Sequence, residues 1–407
     1  MSAAQQVVEQ AFRHEYARLV AVLVRRAGLP QLEAVEDAAQ AALLAALTDW
    51  ARNGIPDDRG AWLYRVALNH LLGEWRRPAL PGDPLAAVAA DPAEPFFEAE
   101  VGDEQLRMIF VACDERLPQE SRLAFALKTL CGFSTGEIAA RLFTTEANVY
   151  KRLARAKERL REGDFDAQTP ALESLRVRLP SVHAVLYVLF NEGFLSTHTE
   201  HAIREELCDE AIRLTTGLAS HPVGAEPATF ALLALMHLHA ARLASRQDAS
   251  GGLLLLEEQD RSRWDAGHLR EGATWLERAG TGDVVSRFHL EAAIAGEHSF
   301  APSFAQTRWG EIAGLYALLE RLEPSPLYVL NRAVALAEAE GPQAGLDALQ
   351  GVVPPTWLEG HYVWDAVLAD LHRRAGHGEL AMHHCSLALS GAPSEAMRRA
   401  LRRRLRV

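Results

Sequence analysis

Residues 144–161, "TTEANVYKRLARAKERLR", hold six basic side chains (Lys151, Arg152, Arg155, Lys157, Arg159 and Arg161) against Glu146 and Glu158. Such a density of Lys and Arg on one segment suits contact with phosphate oxygens. At 100° per residue, Val149, Leu153, Ala156 and Leu160 fall within about 60° of one another and form a stripe for burial. Ala147, Lys151, Ala154 and Arg155 lie opposite, flanked by Asn148 and Tyr150. Two alanines let such a helix approach a groove, while Lys151, Arg155 and Asn148 offer donors to base edges and phosphates. Arg152 lies nearer the core edge, where a neighbouring helix or a phosphate can pair it. A solvated basic face is the alternative reading.

A second constellation runs from Gly60 to Arg77, where Trp62, Arg65, Asn69, Trp75, Arg76 and Arg77 interleave on one predicted helix. Rings that stack on unpaired bases, beside guanidiniums that neutralise phosphate, suit single-stranded DNA. A tryptophan in a small helical bundle serves a core equally well. Glu33, Glu36, Asp37 and Gln40 crowd the start of the helix before it, where carboxylates complement a helix dipole. Further along, "NEGF" (191–194) and "EEQDRSRWD" (257–265) combine carboxylates, Arg and aromatics. No nucleophile or metal set accompanies them, so they read as an ion-pair and turn framework, such as Arg261 or Arg263 with Glu257 or Asp260. "HHC" at 383–385 points its side chains apart on a helix and reads as no metal site. The terminal "MRRALRRRLRV" reads as a solvated helix end.

The elements that must position these residues are helices throughout. No strand-length run alternates Val or Ile with polar residues, whereas Ala, Leu, Arg and Glu recur at three and four residue spacing, so an all-α fold is expected. Phe12, Tyr16, Leu19 and Leu23 make one stripe of a helix that stops at Gly28 and Pro30, and "NGIP" at 53–56 stops the next. Pro118 and Gly132 bracket another. Ser134 and Glu137 form a capping box for a short helix, and "FTT" turns into the basic one, which is the helix-turn-helix pattern. Residues 78–104 carry seven carboxylates and no Lys or Arg, with Pro and Ala between them, and read as a linker. The chain of 407 residues has net charge −12, and this acid lies away from the basic helix. Four scattered cysteines suggest neither disulfides nor a zinc knuckle. The longest apolar stretch, 230–241, falls short of a membrane span, and no secretory signal opens the chain, so a cytoplasmic protein without a membrane partner is expected.

From these residues the chain resembles an extracytoplasmic-function (ECF) sigma factor. The region-two likeness rests on "AVEDAAQAALLAALTDW" and "AWLYRVALNHLLGEWRR"; that to region four rests on "LPQESRLAFALKTLCGFSTGEIAARLFTTEANVYKRLARAKERLR". The resemblance implies that the helix bearing Asp37 and Gln40 docks on the β′ clamp helices of core RNA polymerase, and that region four meets the β flap. It implies that Trp62, Arg65, Asn69, Arg76 and Arg77 capture a melted −10 element. Ala147, Asn148, Tyr150, Lys151, Ala154 and Arg155 would read the −35 duplex. Gly73 stands where relatives commonly carry an acidic residue, with Glu74 one place later.

The remaining sequence is similar to the group of ECF factors with a tetratricopeptide-like C-terminal extension, through "RLPSVHAVLYVLFNEGF", "EELCDEAIRL", "LLALMHLHAAR", "LLEEQDRSRWD" and "SPLYVLNRAVALAEAEGPQAGL". Independently, Leu368, Ala369, Gly376, Ala381, Ala388 and Pro393 keep the phase of a helix-turn-helix repeat of about 34 residues. Stacked helix pairs make a groove for a protein partner. The expected organisation is a region-two domain over 1–77, the acidic linker over 78–104 and region four over 105–163. A helical extension over 164–300 and TPR-like repeats over 301–407 follow. A promoter-directing factor that performs no covalent chemistry and needs no cofactor is expected, with the extension regulating it in cis. A helix-turn-helix regulator independent of polymerase is the competing reading, and an enzyme built on 191–194 and 257–265 a third.

Overall fold

The computed structural model describes residues 3–74, 97–162, 172–196, 202–248, 251–358 and 361–406. The first helices are α1 (Ala3–Ala27), α2 (Leu32–Asn53), α3 (Arg59–Glu74), α4 (Phe97–Ala112), α5 (Gln119–Leu130), α6 (Thr135–Arg141), α7 (Glu146–Glu162), α8 (Leu172–Phe194) and α9 (Glu205–Ser220). They are followed by α10 (Pro227–Ala240), α11 (Ala266–Ala279), α12 (Arg287–Phe300), α13 (Trp309–Leu322), α14 (Pro326–Glu340), α15 (Pro342–Leu349), α16 (Tyr362–Arg374), α17 (Gly378–Ser390) and α18 (Glu395–Leu405). Among the described residues no strand forms, and the fold is all-α as the residue spacing predicts. Two compact units divide the chain: residues 1–189 with 220–224, and residues 190–219 with 225–407.

In the first unit, the apolar stripes of α1 (Leu19, Val20, Leu23), α2 (Val35, Ala39, Leu43) and α3 (Leu63, Ala67, Leu71) close on one another. Gly28 and Gly54 end α1 and α2 in left-handed backbone, a conformation that an L side chain adopts only with strain. The capping box forms as its spacing predicts: Ser134 Oγ accepts from the Glu137 amide at 3.1 Å, and Glu137 accepts from the Ser134 amide at 2.7 Å. Thr145 then accepts from the Asn148 amide at 3.3 Å and opens α7. Asp114, almost fully buried, is held by Arg178 of α8 at 2.5 Å and by Arg116. These guanidiniums keep its carboxyl below the usual range although burial alone would raise it.

The second unit packs successive helices in pairs. Leu330, Ala333 and Ala337 of α14 meet Leu349, Trp364 and Leu371 in one cluster. Gly376, at φ 81°, turns α16 into α17, with Ala369 and Ala388 buried, so the residues in repeat phase sit at a helix-turn-helix pair. The window Pro227–Ser245 is long and apolar enough to cross a membrane by composition, and it is mostly buried as a core element. The terminal helix differs from the expected solvated end. Leu401 and Leu405 form a buried stripe that turns one face of α18 inward, so Arg404 reaches Asp370 at 2.9 Å and Glu257 at 3.5 Å, and Arg403 reaches Glu258 at 3.4 Å.

Close approach fixes one glycine. A Cβ on Gly345 would lie 2.7 Å from the Ala333 carbonyl oxygen, whereas one on Gly314 in α13 would meet nothing within 4 Å. Gly345→Ala is expected to cost about 1–3 kcal/mol and Gly314→Ala to stabilise by up to about 1 kcal/mol. Thermal melts of the two variants should therefore shift in opposite directions.

Candidate nucleic-acid interface

The basic helix α7 divides cleanly. Val149, Ala156 and Leu160 are 1 % exposed or less and Leu153 is 8 % exposed, which seats the predicted stripe against α5 and α6. Ala147, Asn148, Lys151, Ala154 and Arg155 are all exposed, and Tyr150 is 60 % exposed. The Tyr150 hydroxyl lies 3.4 Å from Thr135 Oγ1, which itself donates to Glu146 at 2.9 Å, so the phenol is tethered at the edge of the face. Asn148 Nδ2 donates to Thr144 at 3.3 Å.

The six basic residues separate into two classes. Arg152 pairs with Glu120 at 3.1 Å, Lys157 with Glu36 at 2.6 Å and Arg161 with Glu33 at 3.4 Å. Lys151, Arg155 and Arg159 are exposed and have no carboxylate partner among the described residues. The total charge of the segment thus overstates what it can offer a phosphate. Three cations are spent on the protein, and the remaining three lie along the outer side of the helix.

On α3, Leu63, Tyr64 and Ala67 are buried, while Arg65 and Asn69 are exposed and Trp62 is partly so. Trp62 stands edge-on to the buried Trp50, with ring centroids 5.6 Å apart. It therefore serves the bundle with one edge and leaves part of its surface beside Arg65 and Asn69. Asp58 accepts from the Ala61 amide at 2.8 Å and caps the helix. Arg76, Arg77 and most of the acidic linker, residues 78–96, lie outside the described residues.

Asp37 and Gln40 are exposed on α2. Burial and the nearby Glu36 raise the Tyr16 phenol above its ordinary value, and a hydrogen bond from Gln40 opposes them. Sequence reasoning missed two neighbours. Leu44 is 63 % and Leu47 39 % exposed, and both continue the face of Asp37 and Gln40 at i+7 and i+10. The signal was present, since these leucines fall outside the Val35, Ala39, Leu43, Ala46 stripe, but a Leu in an Ala-rich helix reads as core by default.

Glu36 behaves differently from these neighbours. It is 7 % exposed and accepts from Thr129 Oγ1 of α5 at 3.0 Å and from Lys157 Nζ of α7 at 2.6 Å. The expected role for this carboxylate, complementing a helix dipole, is joined by a second one. It ties the helix that bears Asp37 and Gln40 to the helix-turn-helix.

Residues 107–160 match the family described as Sigma-70, region 4, and residues 178–280 match a family of unknown function (DUF6596). An uncharacterized protein of Rhizobium meliloti (strain 1021) is 35% identical over 353 residues, spanning 85% of this chain and 83% of its own. The ECF RNA polymerase sigma-E factors of Escherichia coli (strain K12) and Salmonella typhimurium (strain LT2) are each 35% identical over 112 residues, 24% of this chain and 56% of theirs. No solved structure matches. The basic, half-buried helix lies within the region-four match, and the DUF6596 match follows it. The chain thus carries a sigma-70 region 4 domain followed by a DUF6596 domain, an arrangement consistent with an extracytoplasmic-function sigma factor that has a C-terminal extension.

Proposed function

We propose that this sigma factor binds core RNA polymerase through the exposed face of α2 and directs it to a restricted set of promoters. In this reading α7 reads the −35 duplex and α3 captures the melted −10 element. The observation that carries it is the division of α7, where Lys151 and Arg155 stand without a carboxylate partner beside the exposed Ala147 and Ala154, while Lys157, Arg161 and Arg152 pair with Glu36, Glu33 and Glu120. The protein performs no covalent chemistry; polymerase supplies it. It acts in the cytoplasm, where promoter DNA is found, and its extension meets a protein partner or acts on the sigma regions in cis.

The same reading gives Asp37, Gln40, Leu44 and Leu47 a common purpose. Exposed leucines flanked by polar side chains make a surface that gains from being covered, and a polymerase helix is the occupant the family provides. Core-dependent run-off transcription tests the proposal. Leu44→Glu, on a side chain that supports no core, is expected to weaken core binding at least tenfold with the melting temperature unchanged; wild-type affinity would remove α2 from the interface. Lys151→Ala and Arg155→Ala are each expected to lower promoter affinity and to reduce the salt slope of binding by about 1. Duplex binding without run-off in any core preparation would favour a regulator that works alone.

The Glu36–Lys157 contact bears on how the two DNA-reading helices act together. The −35 and −10 elements lie about 25 base pairs apart, or about 85 Å at 3.4 Å per base pair. Because α3 packs on α2 and Glu36 of α2 holds Lys157 of α7 at 2.6 Å, α3 and α7 so held cannot serve both elements at once, and in this reading promoter engagement opens the contact. Lys157→Ala leaves the outward face intact and is expected to raise run-off at limiting protein by roughly threefold or more, because less free energy is then needed to reach the open form. Unchanged run-off would mean that opening is not limiting.

A further inference from the structure

Residues 191–194 and 257–265 form ion pairs and turns, but with partners other than those expected, and they border a cluster of cations inside the second unit. Arg261 does not pair with Glu257 or Asp260; it donates to the carbonyls of His298 and Ala301, both at 2.8 Å, and its guanidinium stacks 4.4 Å from the Trp264 ring. Arg263 donates to the Ala244 carbonyl at 2.7 Å. Arg246, 8 % exposed, donates to the Phe194 carbonyl and lies 3.5 Å over the Phe194 ring. Arg242 sits between the two walls, 5.6 Å from the Phe194 ring and 6.0 Å from that of Trp264. Its side chain makes no hydrogen bond and no ion pair among the described residues, and its buried Nε is unsatisfied.

Three more buried donors or acceptors around it lack partners: Arg261 Nη2, Trp264 Nε1 and His298 Nδ1. Trp264 is only 6 % exposed. The acids of the surrounding elements are engaged elsewhere. Glu192 holds Ser196 at 2.7 Å and faces Arg204, Glu297 pairs with Arg308, Glu257 with Arg404 and Glu258 with Arg403. Asp260 caps its own turn through the Ser262 amide.

A guanidinium that is largely taken out of water with no counter-ion beside it, its Nε buried and unpartnered, is costly for a protein to hold. Burial, then Arg261, draws Arg242 down to about 10, and burial, then Arg242, draws Arg246 down to about 9, so both still carry charge at neutral pH. The histidines relieve the field by staying neutral: burial, then Arg242 and Arg261, takes His298 down to about 4, and His239 is lowered likewise. Three guanidiniums remain beside the two aromatic walls without a carboxylate partner among the described residues, Arg246 and Arg261 resting on backbone carbonyls and Arg242 on none.

We propose that this cluster is a binding site for a small dianionic ligand, whose phosphate or dicarboxylate oxygens are held by Arg242 and Arg261 between Phe194 and Trp264, with Arg246 behind them. The planar fork of each guanidinium matches such oxygens in a bidentate way, and the unsatisfied Trp264 Nε1 adds a donor. Arg242, Arg261 and Phe194 are all partly exposed, which gives a ligand access. The extension then carries a chemical input, and this site stands whether or not the promoter-reading assignment holds.

The test is thermal unfolding of the full chain in millimolar inorganic phosphate or sodium succinate, against sodium chloride at the same ionic strength. A saturable rise in midpoint is expected, about 5 °C at a hundredfold excess over Kd, and the stronger of the two anions identifies the oxyanion. Arg242→Met is expected to melt at or above the wild-type temperature without anion, because it removes a buried unpaired charge, and to lose the response to anion. Arg308→Gln, on an exposed side chain paired with Glu297, should keep it. If circular dichroism shows that Arg242→Met does not fold, Arg261→Gln makes the same comparison. No rise beyond chloride with either anion, or an undiminished rise in the arginine variants, would overturn the proposal.

Discussion

A carboxylate taken out of water must find partners that replace its hydration, and Glu36 finds them on the helix-turn-helix. Thr129 and Lys157 both donate to it, and the first unit is organised by that requirement. The contact sets α2 beside α5 and α7, which brings Glu33 within reach of Arg161. Removing one member of such a set leaves the other buried and unpaired, so its loss costs more than the pair's net contribution to stability.

This contact also decides which cations of α7 face outward. A helix carries its residues around a full circle, and a basic helix packed on one side must either bury charge or neutralise it. Lys157, Arg152 and Arg161 are neutralised by acids on neighbouring helices, whereas Lys151, Arg155 and Arg159 are left to solvent or phosphate. The arrangement therefore leaves the outward face of α7 free of carboxylate partners while its other side is held to α2.

The second unit manages its charge differently. Along α18, Arg403 and Arg404 are matched by Glu258, Glu257 and Asp370, and the terminal helix is fastened down by them. Around Arg242 no such matching occurs, although the extension as a whole is acidic. The contrast lies inside one unit, so it does not follow from a general shortage of acid. It marks one place where the fold stops short of neutralising itself.

The helical class, the caps at Ser134 and Glu137, the buried stripe of α7 and its outward Lys151 and Arg155 were legible in the sequence. Each depends on residues within a few turns of one another, where 3.6-residue periodicity and capping chemistry act directly. Leu44 and Leu47 were present in the same pattern but ambiguous, because exposure depends on what surrounds α2. Only the tertiary structure could bring Glu36 to Lys157, 121 residues away, or show that Arg261 turns to backbone carbonyls and leaves Arg242 alone. Local spacing determines which face a helix presents, whereas the partner of a buried charge is chosen by the chain's long-range packing, and no local pattern encodes it.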